Sequence, residues 1–89
     1  MDLIPDVIEV KALNNYDIYI KFKNGEEKIY NMKEHINTIK YFYRLKDKDY
    51  FKRVIPRGDT VEWENGEDVA PENLYFKSVP INEYNGNID

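Results

Sequence analysis

The sequence predicts an α+β protein: a small curved antiparallel sheet, made of a three-stranded meander plus a C-terminal hairpin, with one or two short helices. Three observations carry that prediction. Apolar and polar residues alternate with a period of two over residues 7–13, 16–22 and 26–31. The Asn-Gly pairs at Asn24-Gly25 and Asn65-Gly66 supply reversal points with the positive φ angles that tight hairpins need. Between residues 32 and 51 the apolar spacing changes to three and four, which is the period of a helix.

Taken in order, Ile8, Val10 and Ala12 share one face of the first strand, with Glu9 and Lys11 opposite. Asn14-Asn15 breaks it. Tyr16, Ile18, Ile20 and Phe22 then alternate with Asp17, Tyr19 and Lys21, and Asn24-Gly25 turns the chain into a third strand. Two registers remain open for that hairpin. A two-residue turn sets Lys21 against Lys28, whereas a three-residue loop with a glycine bulge sets Lys21 against Glu27. Met32, His35, Ile36, Ile39, Phe42, Tyr43 and Leu45 form the helical stretch, with Asn31 capping its start and a break expected at Asn37-Thr38. Residues 46–49 read as a solvated connector, and residues 52–57 as a strand ended by Pro56 and Gly58. Val61 and Trp63 alternate with Glu62 and Glu64 on the next strand, and Val69 returns beside it after Asn65-Gly66. Pro71 suits the first position of a final helix, Glu72 faces its positive end, and the Asp68 carboxylate is the expected cap because Ala70 is a poor one. Residues 1–77 are expected to form the domain. Residues 78–89, with Pro80, Gly86 and few apolar anchors, are expected to be a flexible tail that frays beyond Tyr84.

The composition bounds the function. A chain of 89 residues buries about 60–65% of its unfolded surface, enough for one modest core. With 42% hydrophobic and 15% aromatic residues it has the apolar content to build that core. No cysteine is present, which removes disulfides, thiolate metal sites and cysteine nucleophiles. The first six residues show no basic region followed by an apolar run, and no stretch approaches the ~20 apolar residues of a membrane span, so a cytoplasmic location is expected. A net charge of −4 with mixed signs lacks the footprint of a direct nucleic-acid binder and is compatible with a basic protein partner.

Candidate chemistry is sparse. His35 is the single histidine and has no cysteine or second histidine with which to hold zinc or activate a nucleophile. Glu62, Glu64, Glu67, Asp68 and Glu72 cluster in sequence, yet their positions suit a solvated strand face and a helix N-terminus, and their spacing is not that of a calcium loop. The four glycines are isolated turn residues, so no phosphate cradle is expected. Lys40-Tyr41-Phe42-Tyr43-Arg44 interleaves aromatics with cations as a base-stacking surface does, against an acidic background; an amphipathic rim on the core is the plainer reading. Trp63 is expected in the core. No catalytic residue, metal or cofactor is assigned.

The segment Trp63-Glu64-Asn65-Gly66-Glu67-Asp68-Val69-Ala70-Pro71-Glu72-Asn73-Leu74-Tyr75, with Phe22-Lys23-Asn24-Gly25-Glu26 and Tyr30-Asn31 upstream, resembles the small bacterial family known as domain of unknown function 2442. The family signature is Trp-x-Asn-Gly-x-Asp-x-x-Pro-Glu-x-Leu-Tyr, and the likeness runs from Pro5 to Tyr75. Where the family often has Asp at the end of the third strand this chain has Asn31, a neutral cap in place of a charged one. The resemblance implies a small α+β fold with a curved antiparallel sheet and brings no established activity. Members occur alone or joined to a helix-turn-helix segment, for which this chain is short, and many lie beside a second small protein in what look like toxin-antitoxin pairs.

These readings converge on a protein–protein interaction module, antitoxin-like, that contacts its partner through a sheet edge and the terminal motif. Tyr19, Tyr30, Trp63, Asp68, Glu72 and Tyr75 are the expected partner-binding residues, with homodimerisation through the edge as a corollary. Two alternatives stand beside it. One is a small-ligand or enzymatic site built around Asp68, Glu72 and Tyr75; the other is an adaptor that reaches nucleic acid only through a basic partner.

Overall fold

The computed structural model describes residues 4–84. Strand β1 (Val7–Ala12) is joined by a 3-10 turn (Asn14–Tyr16) to β2 (Asp17–Phe22), which turns into β3 (Glu27–Asn31). A helical layer follows: α1 (Lys33–Thr38), a 3-10 helix (Lys40–Lys46) and α2 (Lys48–Phe51). The chain then makes the hairpin β4 (Ile55–Arg57) and β5 (Thr60–Glu62), helix α3 (Pro71–Phe76), strand β6 (Val79–Pro80) and a 3-10 turn (Ile81–Glu83). The main sheet is antiparallel in the order β1-β2-β3-β6, and β4-β5 is a separate ribbon. The fold is α+β, as the alternation and the change of period predict.

Alternation on β2 sets the core. Ile18, Ile20 and Phe22 are wholly buried, facing the helical layer, while Asp17, Tyr19 and Lys21 point the other way. Each such apolar side chain contributes about 1.5–3 kcal/mol by leaving water. Trp63, Met32, Leu45, Val61 and Leu74 complete the buried set, and Trp63 stacks on Phe51 at 5.7 Å while its Nε1–H donates to the Phe51 carbonyl at 2.9 Å. On β1 the expected face is interrupted. The register shifts between Val7 and Glu9, so a bulge buries Val7 and leaves Ile8 53% exposed, away from Val10 and Ala12. Asn15 and Tyr16 both take positive φ, 59° and 62°, and this turn is anchored by Leu13 N–H on the Asp17 carbonyl and Met32 N–H on the Tyr16 carbonyl, each 2.8 Å.

The β2–β3 loop resolves the open register. Phe22 N–H donates to the Glu26 carbonyl and Gly25 N–H to the Phe22 carbonyl, both at 2.9 Å, with Gly25 at φ 93°. Lys21 therefore opposes Glu27, an opposite-charge pair in place of the Lys–Lys pair of the other register. The same geometry recurs at the second Asn-Gly. Trp63 N–H donates to the Glu67 carbonyl at 2.8 Å, Gly66 N–H to the Trp63 carbonyl at 2.9 Å, and Gly66 has φ 97°. Only the glycine of each pair is at positive φ, so these are glycine-bulge loops and not the two-residue turns in which Asn would share that conformation.

Three further expectations are corrected. Residues 47–49 are exposed, as expected, but are not a connector: Asp47 caps α2, its Oδ1 accepting from Asp49 N–H at 2.9 Å and Tyr50 N–H at 3.3 Å. Asp68 does not cap α3. It sits in a bridge opposite Glu62, and the helix begins at Ala70 with no side-chain cap, relying on Pro71, which has no N–H to satisfy, and on Glu72 in the first turn. The stretch from residue 78, expected as a tail, adds β6 to the β3 edge through Ile29↔Val79 and Lys28↔Pro80. Ile29 lies on the outer face and is only 3% exposed, and Tyr84 reaches back to donate its hydroxyl to Asp17. Covering Ile29 is the apolar gain that holds this segment down. The remainder of the expected tail, residues 85–89, lies outside the described residues. Elsewhere the helical layer follows expectation: Asn31 Oδ1 accepts from Lys33 N–H at 3.0 Å at its start, and it breaks after Thr38.

Candidate functional site

The two glycine-bulge loops have the same sequence pattern, aromatic-x-Asn-Gly-Glu, at residues 22–26 and 63–67. The aromatic residue is buried in both, and the terminal glutamate of both accepts a hydrogen bond from a tyrosine hydroxyl. In the second loop Glu67, 4% exposed, accepts from Tyr50 at 2.6 Å, and the same hydroxyl accepts from Asn65 N–H at 2.8 Å. In the first loop Glu26 accepts from Tyr75, while Asn24 Nδ2 donates to Glu26 at 2.5 Å. Lys28 Nζ donates to the Tyr75 carbonyl at 2.7 Å and lies 4.2 Å from the Tyr75 ring centre. Burial, followed by the bond to Glu67, raises the Tyr50 pKa; for Tyr75 the bond to Glu26 comes first and burial second. The Tyr75 hydroxyl is the main cause holding Glu26 below the usual carboxylate range. These tyrosines are therefore neutral donors near neutral pH, and what the pairs do is fasten each loop to a helix.

The fastened second loop forms one wall of a cleft of about 720 Å³, lined by Lys40, Tyr41, Tyr43, Arg44, Asn65 and Glu67. The other wall is the 3-10 helix. Its period of three brings Phe42 and Leu45 inward, both buried, and leaves Tyr41 and Tyr43 outside, 55% and 61% exposed. The Tyr41 hydroxyl donates to the Gly66 carbonyl at 2.9 Å, joining the two walls. With the Asn65 amide oxygen turned to the guanidinium, it accepts from Arg44 Nη1 at 2.6 Å and Nε at 3.1 Å. Arg44 also lies 5.8 Å from the Tyr50 ring centre, and Lys46 Nζ lies 4.1 Å from that of Tyr43.

The residues expected to bind a partner do not share one surface. Tyr19 is half-buried on β2, inside the sheet order, and donates to Glu27 Oε1 at 2.5 Å; burial and then Glu27 push its pKa up to about 12. Tyr30 is buried on the core side of β3, hydrogen-bonded to His35 Nε2 at 2.6 Å, so it is not an outer position of an edge. The β3 edge itself is occupied by β6, whose Pro80 has no N–H to offer a further strand. Trp63 is 1% exposed. Asp68 and Glu72 are exposed, and Tyr75 is half-buried edge-on to Phe22 at 5.0 Å. His35 packs between the Tyr30 and Phe42 rings, at 5.7 and 5.3 Å.

The cleft is made of other side chains. On sequence alone Tyr41, Tyr43 and Arg44 read as a rim and Glu67 as a solvated or helix-start carboxylate, and the signal that marks the cleft is the repeated aromatic-x-Asn-Gly-Glu pattern, whose second copy seats the loop. Among the described residues no cluster of three or more His, Asp or Glu has the arrangement of a metal site, and no helix is long and apolar enough to cross a membrane.

No curated protein and no solved structure matches the chain. A family model does, described as protein of unknown function (DUF2442), and the match runs over residues 7–80, from the first residue of β1 to the last of β6. On that match, which takes in the sheet, both glycine-bulge loops and the cleft, the chain belongs to the DUF2442 family.

Proposed function

We propose that this protein is a protein–protein interaction module whose docking surface is the Tyr41–Tyr43 cleft. One observation carries the reading: two tyrosines stand more than half exposed on a wall tied to the Asn65 loop by the Tyr41–Gly66 hydrogen bond and, with the Asn65 amide oxygen turned to it, by Arg44. Exposed aromatic and arginine side chains on a preorganised surface are what interface hot spots are built from, because little ordering remains to be done on binding. The family resemblance favours one kind of module, the neutralising member of a two-gene pair. The test is co-purification from the native cell. A stoichiometric protein that travels with the wild-type chain and is lost from a Tyr41→Ala, Tyr43→Ala variant of unchanged helical and sheet content supports the reading. Retention of that protein by the variant refutes this surface.

A small-ligand site is the second reading, favoured by the size of the cleft, which falls in the range of ligand pockets, and by the buried Glu67 that lines it. A metabolite that raises the melting temperature of the wild type and leaves that of the Tyr43→Ala variant unmoved would select it.

A further inference from the structure

The net charge of −4 averages two unlike parts of the molecule. Residues 40–53 hold six Lys and Arg against two Asp, which leaves +4 on the segment that carries the exposed tyrosines. All six cations are exposed. Arg53 is paired with Glu64 at 3.0 Å, whereas among the described residues Lys40, Arg44, Lys46, Lys48 and Lys52 have no carboxylate at ion-pair distance. Of the two aspartates in the segment, Asp47 is occupied with capping α2. The two cations that line the cleft differ in how they are held. Lys40 is a point charge on a long aliphatic stem, while Arg44, with the Asn65 oxygen turned to it, is oriented by a neutral amide that leaves its charge uncancelled.

This arrangement calls for an anionic occupant, and the cleft also says what kind. Glu67 lines it, and Glu64 and Asp68 flank it on the same loop. An unbroken run of phosphates would lie against those carboxylates. A peptide carries its carboxylates singly, between backbone N–H groups that can face Glu67, and its apolar side chains can cover Tyr41 and Tyr43. We infer that the cleft binds a short acidic segment of the partner protein, seating a carboxylate against Lys40 and Arg44 and an apolar side chain across Tyr41 and Tyr43. This rests on the reading of the chain as an interaction module and gives the contacting part of the partner a charge opposite to the basic one expected from the net charge.

The probe is a phage-displayed library of random 12-residue peptides, panned against the immobilised full chain at low salt. Peptides enriched in Asp and Glu are expected. The best of them, synthesised and labelled, is expected to bind on the order of tenfold more weakly to Arg44→Glu and to Lys40→Glu, and more weakly again as salt is raised. Among the described residues the Lys40 side chain has no ion-pair partner, so its variant keeps the test open if Arg44→Glu disturbs the Asn65 loop. Neutral or basic selected peptides, no selection at all, or binding indifferent to both charge reversals would overturn the inference. So would tight binding of a labelled deoxythymidine 15-mer that depends on Tyr41 and Tyr43. A co-purified protein lost from the tyrosine variant while the selected peptides are not acidic leaves the module standing and removes only its acidic occupant; acidic selection with no co-purified protein removes the module.

Discussion

Replacing Tyr50 by Phe removes one hydroxyl from a buried position and nothing else from the core. That hydroxyl does two things: it donates to Glu67, 4% exposed, at 2.6 Å and accepts from Asn65 N–H at 2.8 Å. Loss of a hydrogen bond to a charged group costs about 1.5–3 kcal/mol, and the Asn65 amide, on an exposed residue that water can reach, adds under about 1 kcal/mol. The sum is about 1.5–4 kcal/mol. For a domain of this size total stability is roughly 5–13 kcal/mol, so the loss is a large fraction, equal to a fall in melting temperature of at least ~6 °C. Urea unfolding followed by the fluorescence of the single tryptophan, Trp63, reads it directly. Tyr75→Phe is the control, because it breaks the matching bond to Glu26, whose side chain is 41% exposed and can turn to water; its cost is expected near 1 kcal/mol. Equal losses at the two sites, or a loss under 0.5 kcal/mol at Tyr50, would refute the argument that burial of Glu67 sets the strength of the second loop.

Further outcomes follow from the same structure. Gly66→Ala meets no atom within 4 Å but must hold φ at +97°, so a destabilisation of about 1–2 kcal/mol by urea titration is expected, with no change in the folded circular-dichroism spectrum. Tyr19, Tyr30, Tyr41, Tyr50 and Tyr75 all have folded pKa values above the usual 10, Tyr19 at about 12. The folded state thus holds these protons more tightly; the stability they add is complete below pH 10 and is lost as pH rises through the folded values, so urea midpoints measured at pH 8 and pH 11 should differ. At the acid end the sign reverses for Glu26: its contribution is present above pH 4.5 and fades as pH falls through its lowered value, which a midpoint series from pH 6 to pH 3 would follow. Tyr43→Ser removes a ring that is 61% exposed and should change stability by less than ~0.5 kcal/mol while weakening partner binding, as measured by calorimetry on the purified pair.

The sheet was legible because period-two alternation on residues 16–22 has a single physical meaning, and the glycines at 25 and 66 leave few choices of reversal. The helical layer was legible as a change of period, and its break after Thr38 followed from its length. What sequence reasoning lost were features decided by tertiary partners. Ile8 turns outward because it is the extra residue of a bulge, without a partner on β2, and Val79–Pro80 is a strand because it pairs with β3 beside the buried Ile29. Local rules place Asp68 at the helix start, but in the fold it pairs with Glu62 in a bridge before the helix begins. The cleft was the least legible part. Tyr41 and Tyr43 have the spacing of ordinary rim residues, and nothing local says that the loop holding Asn65 and Glu67 packs against them, 22 or more residues later. A net charge summed over the chain conceals the separation of signs along it.

The most direct test is amide hydrogen exchange on the co-purified complex against the free chain. If the cleft is the docking surface, protection on binding concentrates in residues 39–46 and 63–68, with the β1 and β6 strands unchanged. Protection confined to the sheet edges or to α3, with residues 39–46 exchanging as they do in the free protein, would contradict it.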